Sequence, residues 1–141
     1  MSLYIHLLGE NITTSCYACG QDHTKREQVY QANITHNLGE MAKEAGIYEA
    51  LWRPYRLRVD FSEYLAYANS EEEFENTCLV LSKDIVDLVQ AGLNDLRERP
   101  NHFKQFNSKN GWGLYRNFVP FVENYLNALK RNPNAQIKIS R

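Results

Sequence analysis

Three cysteines and four histidines are the side chains here best suited to holding a metal. Cys16-Tyr17-Ala18-Cys19-Gly20 is a C-x-x-C followed by glycine, with His23 four residues on and His36 further along. Two thiolates on a tight turn converge on one ion, and Gly20 frees the backbone to curl. Tetrahedral zinc takes four ligands, and there is no second C-x-x-C, so Cys16, Cys19, His23 and His36 form the candidate set. Two free thiols in a solvated loop are the rival reading. A redox dithiol comes third, because that motif ordinarily opens a helix after a strand. A zinc with four protein ligands leaves no position for water, so it would pin a loop and serve as a structural ion.

Two further corners are rich in hydrogen-bonding groups. Asn33-Ile34-Thr35-His36-Asn37 leads from a strand pattern into a helix pattern. A helix N-terminus there could hold an anion or a phosphate. The plainer reading is favoured: Asn37 caps the helix, Asn33 and Thr35 satisfy the turn, and His36 packs or binds zinc. The second corner is Asn107 to Tyr115, where Asn110, Trp112, Tyr115 and Arg116 could stack on and grip a base or nucleotide. Gly111 and Gly113 would let the backbone approach closely. Here too the plainer reading is favoured, a rigid turn whose Trp112 plugs the core. The ligand-binding candidates are therefore Asn33, Thr35, His36, Asn37, Asn110, Trp112, Tyr115 and Arg116. No H-E-x-x-H, G-x-S-x-G, phosphate loop or dinucleotide fingerprint is present. The reading leans away from an enzyme.

The elements that must position these residues follow from periodicity. Leu3 to Leu8 and Glu27 to Ile34 predict two antiparallel strands, with Asn11 to Lys25 a polar loop between them. Asn37 to Gly46 predicts a helix carrying Leu38, Met41, Ala42 and Ala45, and Tyr48 to Arg53 a second short turn before Pro54. Tyr55 to Leu81 predicts an insertion. Leu57, Val59 and Phe61 alternate there like an edge strand, and the acidic run Glu71 to Glu75 reads as a solvated face or loop. Ser82 is placed as the cap of a helix with an Ile85, Leu88, Val89, Gly92 and Leu96 stripe, stopped by Pro100. A short turn carries Phe103 and Phe106. A last helix spans about Leu114 to Lys130, kinked by Pro120 or starting near Val119. A half-exposed strand from Ala135 to Ser140 follows. The expected fold class is α+β: a small mixed or antiparallel sheet, made of the N-terminal hairpin and the C-terminal strand, with three to four helices packed on it.

Composition bounds the rest. The 141 residues form one expected domain, 1–141, with 55–81 inserted. Sixteen basic against seventeen acidic residues give a charge of −1, which disfavours binding to nucleic acid. No uncharged run approaches the ~18 apolar residues of a membrane span. The start lacks the basic residues of a secretory signal, and a cytoplasmic protein is expected. An odd cysteine count there argues against a disulfide framework, and Cys78, in an apolar run, reads as a buried inert thiol.

The run Asn33-Ile34-Thr35-His36-Asn37-Leu38-Gly39-Glu40-Met41-Ala42, continuing through Glu44-Ala45-Gly46-Ile47-Tyr48 to Leu51-Trp52-Arg53-Pro54, resembles a family of short uncharacterised proteins encoded by bacteriophages and prophages. Asn110-Gly111-Trp112-Gly113 with Tyr115, then Phe121-Val122-Glu123, and later Pro133, Ala135, Ile137, Ser140 and Arg141, carry the resemblance onward. It spans roughly 28–54 and 80–141, and residues 55–81 are longer than the family's usual connection. The resemblance implies context rather than chemistry. The expectation is a non-catalytic binding protein that counters host defence by capturing a small nucleotide-like ligand or a host protein. An enzyme acting on a nucleotide or modified base is the first alternative, and a zinc-stabilised nucleic-acid-binding module the second. A homo-oligomer is left open.

Overall fold

Leu3, Ile5 and Leu7 are buried while Tyr4 is exposed and His6 and Leu8 are half-buried, the period-two pattern of a strand covered on one face. In the computed structural model, which describes residues 2–15, 18–67 and 70–141 (of 11–15, 22–25 and 67 the backbone alone), this strand is β1, Ser2–Ser15. It pairs antiparallel with β2, Asp22–Thr35, in a register that sets Ser2 opposite Thr35 and Leu7 opposite Tyr30. On its other side β3, Gln136–Ser140, runs antiparallel, with Tyr4 opposite Ser140 and Leu8 opposite Gln136. The order is β2-β1-β3. The polar loop expected over Asn11 to Lys25 is corrected: both strands continue as a two-stranded ribbon beyond the three-stranded sheet. The ribbon's sequence is too polar to show alternation, so periodicity could not reveal it.

The helices are α1 (Gly39–Glu44), α2 (Tyr48–Trp52), α3 (Phe61–Tyr67), α4 (Glu71–Thr77), α5 (Ser82–Glu98), α6 (Pro100–Lys104) and α7 (Tyr115–Arg131), with 3₁₀ turns at His36–Leu38 and Pro54–Leu57. The class is α+β, as expected, but the helices outnumber the three to four foreseen because several are a turn or two long. The core lies between the inner face of the sheet and the long helices. Ile85, Val89, Leu93 and Leu96 of α5 and Phe118, Val122, Tyr125, Leu126 and Leu129 of α7 are buried against Leu3, Ile5, Leu7 and Ile137. Each such side chain contributes on the order of 1.5–3 kcal/mol. Leu88, assigned to this stripe from the sequence, is exposed, and Leu93 takes its place. Gly92 lies against Ile47, where a Cβ would collide with the Ile47 Cγ2.

The described part of 55–81 is mostly helical, where an edge strand and a solvated face or loop were expected. It carries a 3₁₀ turn and the helices α3 and α4, and Tyr55, Phe74 and Val80 join the core. Ser82 is buried inside the first turn of α5, while Asp84 accepts from Leu81 N–H at 2.9 Å. α7 runs continuously through Pro120 from Tyr115, so Arg116 C=O forgoes its helical donor there. Cys78 is half-buried, and burial raises its thiol pKa. No helix among the described residues is long and apolar enough to cross a membrane.

Candidate functional site: a groove where two asparagine corners meet

The end of β2 and the turn before α7 lie some seventy-five residues apart and touch. Thr35 is extended, and its hydroxyl accepts from Asn37 N–H at 3.3 Å, which starts the 3₁₀ turn. Thr35 is thus the cap, not Asn37 as expected. The Asn37 amide is released for a longer reach and donates to Trp112 C=O at 2.7 Å. Gly113 makes this approach feasible. Its φ is +122°, and a Cβ there would sit 2.9 Å from the Asn37 Cβ. Asn110 Oδ1 holds the turn itself, accepting from Ser108 Oγ at 2.5 Å and from Trp112 N–H at 3.0 Å. Asn107 Oδ1 accepts from Tyr115 N–H at 2.7 Å and caps α7, and the Tyr115 hydroxyl donates to Leu96 C=O at 2.6 Å.

An open groove of about 600 Å³ lies between these segments. His36, Asn37, Tyr48 and Trp52 form one wall, Phe106, Lys109 and Asn110 the other, and Lys43 and Glu40 stand at its side. The first wall is stiff. Trp52 is buried, its ring stacks on Tyr48 at 5.2 Å and 12°, and its indole N–H donates to His36 Nδ1 at 2.8 Å. Nδ1 is therefore the acceptor, and the proton of the neutral ring sits on Nε2. Lys43 Nζ stands 4.9 Å from the Tyr48 ring centre and pairs with Glu40 at 3.1 Å. Among the described residues, His36 Nε2–H, the Asn110 amide N–H groups and the Lys109 ammonium make no hydrogen bond within the chain. The groove thus offers an excess of donors beside two aromatic rings, Tyr48 and Phe106.

Of the residues expected to bind a ligand, His36, Asn37 and Asn110 reach the groove. Thr35 and Tyr115 are spent on the scaffold. Asn33 and Arg116 are exposed and do not border it. Trp112 does not plug the core, as the favoured reading had it: it is 70% exposed, and its backbone carries the contact to Asn37. Lys43, Tyr48, Phe106 and Lys109 are groove residues that sequence reasoning passed over. The Tyr48 and Trp52 pair, four apart on a helix, was the available signal.

His36 stands apart from the rest of the candidate zinc set. His36 follows the end of β2, whereas His23 lies near its start, opposite Thr14. Twelve residues of strand separate them, on the order of 40 Å. His36 therefore cannot share one ion with His23, and its Nδ1 already accepts from Trp52. Cys19 is exposed, while Cys16 and the side chain of His23 lie outside the described residues. Among the described residues no three His, Cys, Asp or Glu side chains cluster to suit a metal. Comparison with protein-family models, with curated proteins and with solved structures finds no match to this chain.

Proposed function

We propose that this is a non-catalytic binding protein whose groove captures a small, planar, anionic ligand of nucleotide type. The observation that carries the reading is the set of unspent donors on His36, Lys109 and Asn110 beside the Tyr48 and Phe106 rings. Aromatic faces accept a base, and clustered cationic and amide donors suit a phosphate. The Trp52 bond supports capture rather than turnover. It commits Nδ1, the ring nitrogen that would take up a proton, and leaves His36 a donor instead of a base. In the bacteriophage setting that the sequence resemblance implies, such capture would withdraw a host signalling nucleotide and so blunt a defence.

The test is titration calorimetry of the whole chain with the four ribonucleoside monophosphates and triphosphates, with recovery of the bound molecule. Stoichiometric binding of at least one, returned unchanged, is expected. Lys109→Ala and Tyr48→Ala should each weaken it about tenfold, the loss of roughly 1.4 kcal/mol. Absence of binding at millimolar nucleotide would refute the reading, and chemical conversion of the bound nucleotide would replace it with the enzyme.

A further inference from the structure

Among the described residues β2 pairs with β1 alone. The outer edge of β3 is already covered, because Ile137 N–H donates to Val80 C=O at 2.9 Å and Leu81 bridges to Gln136. Among the described residues nothing covers the outer edge of β2 in that way. Native sheets usually guard such an edge with charge or proline. Tyr30-Gln31-Ala32-Asn33 carries neither, and the β-bulge of this strand falls just before it, at Val29.

A groove of about 470 Å³ runs there, lined by none of the residues that line the nucleotide groove. Its strand side is Tyr30, Gln31 and Ala32. Successive strand side chains point to opposite faces, so three consecutive residues border one groove only where it follows the backbone edge. Its helix side includes Phe121, Asn124, Ala128 and Arg131, at i, i+3, i+7 and i+10, a single stripe of α7. Ten residues of helix extend about 15 Å, the reach of four to five residues of extended chain.

We propose that this edge is a docking site for an extended acidic peptide, which adds a fourth strand beside β2 and places a carboxylate on Arg131. Main-chain pairing along an open edge supplies affinity, and neighbouring side chains choose the sequence. The groove's charge sets that choice. Arg131 lines it, no Asp or Glu does, and neither Arg131, Asn124 nor Asn127 has a hydrogen-bond or ion-pair partner among the described residues. A second copy fits less well. Antiparallel self-pairing centred on Gln31 would set the uncharged run Val29 to Asn33 against itself and give Arg131 no acid.

The probe is a pool of fluorescein-labelled pentapeptides, acetyl-Thr-X-Glu-X-Thr-amide, with X drawn from Val, Ile, Leu and Tyr. Fluorescence anisotropy on the whole chain should show saturable binding by members of the pool. Arg131→Ala, or Gln in place of the peptide Glu, should weaken it about tenfold, and Arg131→Lys should restore part of the loss. N-methylation of alternate peptide amides should abolish binding in one register and spare it in the other. Amide NMR shifts should concentrate in 29–33 and 121–131. The proposal is overturned by a pool without binders, by binding indifferent to Arg131 and to N-methylation, or by a dimer in sedimentation that already occupies the β2 edge.

Discussion

The Tyr125 hydroxyl is buried and has no hydrogen-bond partner among the described residues, and burial drives its pKa upward. Its ring stacks on Tyr30 at 6.0 Å and lies 6.4 Å from Phe121, so the ring contributes packing while the oxygen is a cost. An unpaired buried polar group costs about 1–3 kcal/mol. Tyr125→Phe keeps the ring and removes that cost, so urea denaturation should show a gain of about 1 kcal/mol. A loss of that size would mean that the hydroxyl has a partner. The same accounting separates Thr35 from Asn37. Both side chains can cap, but one hydroxyl suffices for the turn, and the longer amide then spans to Trp112.

At the scale of elements, close packing overrides propensity. Gly92 sits mid-helix in α5, where alanine is the better helix former by about 1 kcal/mol. A Cβ there would overlap the Cγ2 of Ile47, a branched and fully buried side chain, and lie 3.3 Å from Ala45 C=O. Overpacking of this kind costs about 1–3 kcal/mol. Packing wins, so Gly92→Ala should lower stability by roughly 1 kcal/mol or more in thermal or urea unfolding, and a gain would show that α5 and the α1–α2 corner can move apart. The acidic run behaves in the same spirit. On α4 it buries Phe74, sets Glu71 on Tyr55 and Arg56, and aims Glu75 at Arg141, whereas charge pattern alone suggested a solvated face.

Over the whole molecule, one charged clasp ties the 55–81 segment to the rest and a second folds that segment on itself. Arg141 grips Glu75 through two bonds of 2.7 and 2.6 Å and donates to Trp52 C=O at 2.8 Å, so the end of the sheet, α4 and the stiff wall of the groove are fixed together. Glu71 accepts from Arg56 at 2.6 Å and from the Tyr55 hydroxyl at 2.5 Å, and these bonds hold its carboxyl below the ordinary value of 4.5. A carboxyl depressed on folding stabilises the fold above its unfolded value, and that contribution fades as pH falls below it through the folded value. Stability measured against pH should therefore drop below about pH 4.5. Glu71→Gln should flatten that acid limb and lower stability at neutral pH, and an unchanged limb would show that Glu71 does not report folding.

Local structure is what neighbouring residues dictate. The strand over Leu3 to Leu8, the α5 stripe apart from Leu88, and the helix stop at Gly46 rest on neighbours within a few residues, and the structure holds them. The corner residues His36, Asn37 and Asn110 were recognisable from side-chain chemistry alone, and the groove contains them. The tertiary structure alone decided how their capacity is spent. Whether Asn37 caps or reaches to Trp112, whether Trp112 is buried, and whether His36 meets the cysteines or Trp52 all depend on segments sixteen to seventy-five residues away. Lys43, Tyr48, Phe106 and Lys109 became groove residues for the same reason. A hydrogen bond or a contact is made with whichever group the fold brings within about 3–4 Å, and sequence spacing fixes that distance only along a single element.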